Sequence, residues 1–399
     1  MVGEKKRRAR KAKGLKKILE AKQTLKHLGQ IVSVLFVIGV VLALSVATNW
    51  VHAFNVVATI TLQNSGGYYG IAYDSFMGEI FVANGDYDLV YVISDSTYKV
   101  VATVPVGKVP YGVAYDSGKG EIFVANHGAN SVSVISDSNN TVVANIKVGN
   151  APSAVAYDSG KGEVFVANYN SSSVSVISDT THTVIANISV GSQPCALAYD
   201  SGKGEIFVGH AGCNQVAVIS DSTNAVVANI TVENQPLSLA YDSGKGEIFV
   251  ANYNSSSVSI ISDSTNLIVA TINVGVNPNG LAYDSSNGQI FVTNYNSPSL
   301  SVISDSNNTV IANVTLPKQP QGLAYDSGKG ELFVTYSESN EVSVISDGTE
   351  ASAGTSPTLP EFGIAGFILG VVVAVTLYVI AFSKKKIQMN CPNLRSDAN

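Results

Sequence analysis

Residues 154–194 read AVAYDSGKGEVFVANYNSSSVSVISDTTHTVIANISVGSQP, and this stretch decides the fold. It contains four short apolar runs rich in β-branched residues, namely AVAY, EVFVA, SVSVIS and TVIANISV. The segments between the runs are rich in Asp, Ser, Gly and Asn, which favour tight turns. Four short strands joined by tight turns within about 40 residues are typical of one β-propeller blade.

The same unit occurs seven times with a constant period of 42 residues. Each unit contains Ala-Tyr-Asp, with its tyrosine at Tyr73, Tyr115, Tyr157, Tyr199, Tyr241, Tyr283 and Tyr325. A phenylalanine follows each of these tyrosines, at Phe81, Phe123, Phe165, Phe207, Phe249, Phe291 and Phe333. A β-helix or a leucine-rich solenoid would have shorter repeats. We therefore predict an all-β protein, a seven-bladed β-propeller of four-stranded repeats over residues 56–347.

The two ends of the repeat array predict how the ring closes. The last unit supplies only three apolar runs, and the missing fourth run stands before the first unit at Val56–Leu62. We expect the N-terminal strand to pair into the last blade, because this pairing buries two sheet edges.

The repeated aromatic and acidic residues have structural interpretations. The tyrosines and phenylalanines are expected to pack between neighbouring blades, and a ligand-binding ladder is the alternative. Each unit also has two turn aspartates, such as Asp158 and Asp179, which we expect to cap backbone amides. A calcium-binding rim is the alternative for the aspartates.

Composition and charge exclude several classes of protein. The chain has 399 residues, of which 45% are hydrophobic and 14% charged, so it is not a disordered chain. Residues 50–363 contain nine Lys and Arg against twenty-seven Asp and Glu, which excludes a nucleic-acid partner. Three cysteines without a C-x-x-C motif exclude a zinc ribbon and a c-type haem.

The segments that flank the repeats predict a membrane topology. They are a basic region (1–30), a signal-peptide core or signal anchor (31–53), a linker rich in Gly, Ser, Thr and Pro (348–360), a transmembrane helix or sorting tail (362–383) and a C-terminal tail (384–399). Basic flanks remain cytoplasmic. We therefore expect an extracytoplasmic propeller whose two termini are both cytoplasmic before any processing.

The second strand and the loop after it carry a family resemblance. They read FVANYNS at residues 165–171 and 249–255 and FVTNYNS at residues 291–297. Together with the following SVSVISD and VVANI runs, these sequences resemble the YVTN family of β-propeller repeats. The resemblance implies a cell-surface or surface-layer protein of archaeal type.

The C-terminal region resembles a PEF- or PEFG-type archaeal sorting signal. Its motif is Leu359-Pro360-Glu361-Phe362-Gly363, followed by an apolar span and three lysines. This resemblance implies a membrane transpeptidase as a processing partner. A plain transmembrane anchor is the alternative.

Candidate binding residues lie where the repeats differ from one another. The residue four places before each repeat tyrosine varies, while its neighbours are nearly constant. These residues are Tyr69, Tyr111, Ser153, Cys195, Leu237, Asn279 and Gln321. The loops between second and third strands are expected on the same face and add Asp86, Tyr87, His127 and Tyr336. Loops on a rigid scaffold commonly carry binding residues, although drift at exposed positions also explains the variation.

Two covalent features are also predicted. Cys195 and Cys213 lie in one blade and are predicted to form a disulfide, with a soft-metal site that includes His210 as the alternative. Glycosylation sequons occur at Asn139, Asn170, Asn187, Asn229, Asn254, Asn307 and Asn313.

The sequence favours a binding protein over an enzyme. It has five histidines and a constant alanine in each innermost strand, which suggests a uniform channel lining. We predict a non-enzymatic, membrane-tethered surface propeller without a cofactor, which binds an extracellular protein or glycan. The alternative is an extracytoplasmic propeller enzyme or redox module of lactonase-like or metal-dependent type.

Overall fold

The computed structural model describes residues 3, 5–8, 10–20, 22–24, 26–27 and 54–348. The described residues before position 28 are helical, and residues 54–348 are built almost entirely of strands. Within this part of the chain, no helix is long and apolar enough to cross a membrane. The predicted segments 31–53 and 362–383, the sorting motif at 359–363 and the tail at 384–399 lie outside the described residues.

Within residues 54–348, twenty-eight strands form seven four-stranded antiparallel sheets, and each sheet is one blade. Blade 1 contains β2 (Tyr68–Asp74), β3 (Glu79–Asn84), β4 (Leu89–Ser94) and β5 (Lys99–Pro105). Blade 2 contains β6 (Pro110–Asp116), β7 (Glu121–Asn126), β8 (Ser131–Ser136) and β9 (Thr141–Lys147). Blade 3 contains β10 (Pro152–Asp158), β11 (Glu163–Asn168), β12 (Ser173–Ser178) and β13 (Thr183–Ser189). Blade 4 contains β14 (Pro194–Asp200), β15 (Glu205–His210), β16 (Gln215–Ser220) and β17 (Ala225–Thr231).

The remaining blades repeat this order. Blade 5 contains β18 (Pro236–Asp242), β19 (Glu247–Asn252), β20 (Ser257–Ser262) and β21 (Leu267–Asn273). Blade 6 contains β22 (Pro278–Asp284), β23 (Gln289–Asn294), β24 (Ser299–Ser304) and β25 (Thr309–Thr315). Blade 7 contains β26 (Pro320–Asp326), β27 (Glu331–Tyr336), β28 (Ser339–Ser346) and β1 (Val56–Gly66). Short 3₁₀ turns at Tyr169–Ser171 and Tyr253–Ser255 follow β11 and β19. The predicted seven-bladed fold is confirmed.

The predicted ring closure is also confirmed, because β1 pairs antiparallel with β28 in blade 7. β1 is longer than the predicted Val56–Leu62 and extends to Gly66. The other outermost strands end before a short turn that precedes the next blade's first strand. No such turn separates β1 from β2. The Asn340 side chain, in blade 7, donates a hydrogen bond to the Leu62 carbonyl of β1 at 3.3 Å.

The hydrophobic core consists of seven clusters, one between each pair of neighbouring blades. In each cluster the repeat phenylalanine of one blade packs with the repeat tyrosine of the next. Between blades 4 and 5, for example, Phe207 packs with Ile248 and Tyr241. The prediction that these aromatics pack between blades is confirmed.

Three members of the alanine series belong to clusters between blades, namely Ala198, Ala240 and Ala282. Ala198 is buried in the cluster between blades 4 and 5, where it packs with Leu239. Side chains of a blade alternate between its two faces, and both faces of a propeller blade meet other blades. These three alanines are therefore part of the interblade core, and the uniform channel lining stays a prediction.

The turns after the innermost strands tie the blades together on one face, which we call the turn face. Asp158 Oδ1 accepts hydrogen bonds from the backbone N–H groups of Gly160 (2.8 Å) and Lys161 (3.2 Å), as predicted for a turn-capping aspartate. The Tyr199 hydroxyl of the next blade lies beside the same carboxylate. Burial and this neighbour raise the pKa of Tyr199 well above its usual range. Oδ2 of Asp158 has no other hydrogen-bond partner among the described residues.

Candidate functional site

The variable position of every blade lies in a β-bulge of the innermost strand. Pairing between the first and second strands shifts register beside this position in all seven blades. In blade 3, for example, the shift falls between Pro152 and Ala154, so that Ser153 is the bulged residue. A bulge frees a residue from the ladder and redirects its side chain. The seven innermost strands contact one another in a closed ring, so the seven bulges surround the entrance of the central channel.

At two of these positions the side chain joins neighbouring blades. Ser153 Oγ donates a hydrogen bond to the Pro194 carbonyl of blade 4 at 3.1 Å. Cys195 Sγ contacts the Pro236 carbonyl of blade 5 at the same distance, 3.1 Å. Ser153 is buried, and burial raises the pKa of Cys195 to about 12, so its thiol remains a protonated donor. Serine and cysteine at this position therefore make the same interblade contact.

Blade 6 makes the corresponding contact from its second strand, and blade 7 has a threonine at the same position. Thr293 Oγ1 accepts a hydrogen bond from the Gly280 backbone N–H at 2.7 Å and donates to the Gln321 carbonyl at 3.1 Å. Thr335 in blade 7 accepts from Gly322 at 2.9 Å. These threonines are not among the residues predicted from the sequence. Their signal is the change from FVAN to FVTN and FVTY, which occurs in two of the four units that have Gly after the variable position.

Tyr336 is not available to a ligand, contrary to the prediction. It is fully buried, and its hydroxyl hydrogen bonds with Ser343 Oγ at 2.8 Å. Tyr336 occupies the place of Asn168 in blade 3, whose side-chain amide donates to Ser175 Oγ at 2.9 Å. The last residue of each second strand points into the blade.

Aromatic side chains from blades 1 to 3 form a continuous cluster at this face, which we call the aromatic cluster. The rings of Tyr69 and Tyr111 are stacked with centroids 4.3 Å apart and planes inclined by 16°. The His127 ring lies 5.8 Å from Tyr111, and Tyr169 lies 6.4 Å from His127. Tyr111 is 37% exposed. The structure therefore brings together three of the predicted residues and adds Tyr169.

Two glycines and an acidic loop hold the first ring of the cluster. A methyl group on Gly85 would lie 2.7 Å from Cε2 of Tyr69, so only glycine leaves room for this ring position. Asp86 Oδ2 accepts a hydrogen bond from the Gly67 backbone N–H at 2.8 Å. Burial and the Asp86 charge raise the pKa of Tyr69, and burial raises the pKa of Tyr111 to about 12. Both hydroxyls therefore remain hydrogen-bond donors at neutral pH.

The other side of the channel entrance is less aromatic. Tyr253 and Tyr295 have ring centroids 6.4 Å apart. The remaining predicted residues at this face are partly or fully exposed, namely Leu237, Asn279, Gln321, Asp86 and Tyr87. The tyrosines of the NYNS loops belong to the sequences that carry the family resemblance, but they are not among the predicted site residues.

The cysteines differ from the disulfide prediction, because Cys195 and Cys213 are both free thiols. Cys195 is turned toward blade 5, whereas Cys213 Sγ contacts Gln215 Oε1 of its own blade at 3.8 Å. Among the described residues, no group of three or more His, Cys, Asp or Glu side chains is placed to hold a metal ion. All seven sequon asparagines are exposed, and their glycosylation stays a prediction.

Comparisons with known proteins support the fold. No family model and no curated protein sequence matches the chain. Among solved structures, Kuenenia stuttgartiensis hydrazine synthase is similar with a TM-score of 0.64 and 17% sequence identity, over 73% of this chain and 99% of that chain. This likeness shows a shared propeller fold. The chain is thus a seven-bladed β-propeller with an aromatic cluster at one entrance of its channel.

Proposed function

We propose that the protein is a non-enzymatic, membrane-tethered binding scaffold of the cell surface, which holds a glycan at the aromatic cluster. The observation that supports this proposal is the contrast between the two faces of the ring. The turn face repeats the same tyrosine and aspartate contacts around the ring, whereas the aromatic cluster occurs only in blades 1 to 3. A non-repeated, partly exposed cluster on a rigid repeated scaffold is typical of a binding site.

The chemistry of the cluster favours a saccharide ligand. Partly exposed tyrosines offer an apolar body with a polar tip, which suits the apolar faces and hydroxyl groups of a sugar. Across the channel entrance, Asn279 and Gln321 provide amides that both donate and accept hydrogen bonds. The carboxylate of Asp86 adds an acceptor beside Tyr69. The enzymatic alternative gains no supporting feature among the described residues.

The proposed location rests on the sequence. The basic region before residue 31, the two apolar segments and the PEF-like motif support a tethered, extracytoplasmic propeller. The YVTN-like repeats support a surface-layer association of archaeal type. Labelling intact cells with a membrane-impermeant amine reagent tests the location, because lysines of the propeller react only if the propeller lies outside.

A glycan array tests the binding function with two variants. Tyr111→Ser introduces the residue that the next blade has at the same position, so the fold should be retained. Lys245→Ala on the turn face is the matched control. We expect specific glycan signals for the wild type and the control, and at least a tenfold loss for Tyr111→Ser. Signals that are equal in all three proteins, or capture of a protein partner without any glycan signal, would overturn the proposal.

A further inference from the structure

Several blades contain the same network of side-chain hydrogen bonds, and blade 4 lacks it. In blade 3, the Asn168 amide donates to Ser173 Oγ at 3.2 Å and to Ser175 Oγ at 2.9 Å. Ser171 Oγ accepts a hydrogen bond from the Asn150 backbone N–H at 2.6 Å. Blades 5 and 6 repeat these contacts from Asn252 and Asn294.

Blade 4 replaces every side chain of this network. His210, Cys213, Gln215 and Ala217 stand where blade 3 has asparagine and three serines. An imidazole (His210) replaces the asparagine amide, and a thiol (Cys213) replaces the serine that accepts the backbone hydrogen bond.

His210 is left without a partner by these replacements. It is fully buried, and neither of its ring nitrogens has a hydrogen-bond partner among the described residues. The backbone of Gln215 lies close to the ring. One nitrogen of a neutral imidazole carries a lone pair, which is the group that a metal ion binds. An unpartnered buried imidazole is costly unless it binds something.

Cys213 lies next to this imidazole. A methyl group placed on Gly191 would lie 3.0 Å from Cys213 Sγ and 3.1 Å from Cδ2 of His210. Cys213 Sγ and the Cδ2 edge of the His210 ring therefore both pack against Gly191, which places the thiol beside the imidazole. Cys213 is partly exposed, so an ion can reach its thiol from solvent.

We propose that His210 and Cys213 form a two-coordinate site for a monovalent soft metal ion, with Cu(I) as the physiological cation. Thiolate and imidazole are ligands that Cu(I) prefers. The ion forms a bond to Sγ, and the thiol proton is released to solvent. The resulting Cu(I)–thiolate unit has no net charge, so its burial avoids the penalty of an unpaired charge. Zinc is not expected, because structural zinc sites use four ligands.

Cys195 is excluded from this site by its own contacts. Its thiol is committed to the Pro236 carbonyl, and Ser153 makes the equivalent contact in blade 3. The Cys195→Ser variant should therefore keep both the fold and the metal affinity. This expectation separates the proposed site from a disulfide or a dithiolate site, since both of those need Cys195.

The test measures Cu(I) binding to the full-length protein under reducing, anaerobic conditions against a competing Cu(I) chelator. All proteins carry Cys391→Ser, so that only two thiols remain. We expect one Cu(I) per chain, and a loss of affinity on the order of 100-fold or more for Cys213→Ser and for His210→Asn, because loss of even an outer-shell partner costs 10–100-fold. X-ray absorption should show one sulfur and one nitrogen ligand.

A combined variant separates the loss of Cu(I) binding from a loss of the fold. His210→Asn, Cys213→Ser, Gln215→Ser and Ala217→Ser together restore the network of blade 3, so this protein should fold and bind no Cu(I). Absence of stoichiometric binding by the wild type would overturn the proposal. Affinity that survives Cys213→Ser, or that falls equally with Cys195→Ser, would overturn it as well.

Discussion

At the residue scale, one sequence position serves two purposes according to the side chain that occupies it. Ser153 and Cys195 hold neighbouring blades together from the bulge of the innermost strand. Tyr69 and Tyr111 are too large for that contact, and their rings stack over the channel entrance instead. The blades with tyrosine have glycine as the next residue, and a methyl group on Gly70 would overlap the Tyr111 carbonyl at 2.1 Å. In these blades the backbones of neighbouring innermost strands approach closely, and no side chain links them as Ser153 and Cys195 do.

Gly85→Ala should displace the Tyr69 ring and lower the free energy of unfolding by about 1–3 kcal/mol, the usual cost of overpacking. Gly85 does not have a positive φ, and Tyr169 and Tyr253 occupy its place in other blades, so the backbone itself accepts a side chain. Chemical denaturation measures the loss, and near-UV circular dichroism reports the tyrosine stack.

The double variant Gly85→Ala with Tyr69→Ser is the control for this prediction. It removes the ring that the new methyl group meets, so most of the lost stability should return. A double variant that is less stable than the single variant would show that the backbone, and not the Tyr69 ring, requires glycine.

At the element scale, β1 is the one strand of the propeller that joins its blade without a covalent connection to the rest of that blade. Ile60 and Leu62 of β1 are buried with Val342 and Val344 of β28 and with residues of blade 1. Detachment of β1 would therefore expose both the edge of blade 7 and the core between blades 7 and 1. An unpaired edge of this kind invites association with other chains.

Ile60→Ala and Ile146→Ala form a matched pair that tests the role of β1. The two isoleucines occupy equivalent positions, with 4% and 5% exposure. Each variant should lose about 2–4 kcal/mol from the cavity and the lost burial. Hydrogen exchange should distinguish them: Ile60→Ala should accelerate exchange in both β1 and β28, and Ile146→Ala only in β9. Equal local effects would mean that β1 is held as firmly as a covalently linked strand.

At the scale of the whole molecule, the turn face joins all seven blades through ionisable groups. The seven repeat tyrosines each lie beside the carboxylate of the preceding blade, and burial raises the pKa of each. Lysines cross the same boundaries, with Lys119 Nζ 3.3 Å from Asp179 Oδ1 and Lys161 Nζ 3.5 Å from Asp221 Oδ1. These ion pairs are partly exposed, so each contributes little by itself.

The raised tyrosine pKa values predict steep alkaline destabilisation. Above pH 10, an unfolded tyrosine loses its proton, whereas the folded tyrosine keeps it, so the native state binds more protons. The stability contribution is fully present below pH 10 and falls as the pH rises, by at most about 1.4 kcal/mol per pH unit for each tyrosine. Denaturation between pH 9 and pH 11.5 measures this slope.

Tyr157→Phe with Tyr241→Phe provides the control for the alkaline slope. Two fewer tyrosines should reduce the slope by about two protons, while stability at pH 7 falls by only ~1 kcal/mol per hydroxyl. A slope that is unchanged in this variant would show that the repeat tyrosines do not govern alkaline unfolding.

The sequence by itself determined the number of blades, the four strands of each blade and the closure by β1. These properties follow from local features, namely the 42-residue period, the β-branched runs and the turn residues between them, which are written in each repeat. The sequence also placed Tyr69, Tyr111 and His127 on one face, because strand order fixes which loops share a face.

The tertiary structure decided what the side chains on that face contact. Ser153 and Cys195 contact carbonyls of the next blade, Tyr336 is buried, and the two cysteines of blade 4 are free thiols. These outcomes depend on bulges and on the approach of a neighbouring blade to within hydrogen-bond distance. A repeat pattern specifies the backbone of one blade, whereas the direction of a bulged side chain is set only when the next blade packs against it.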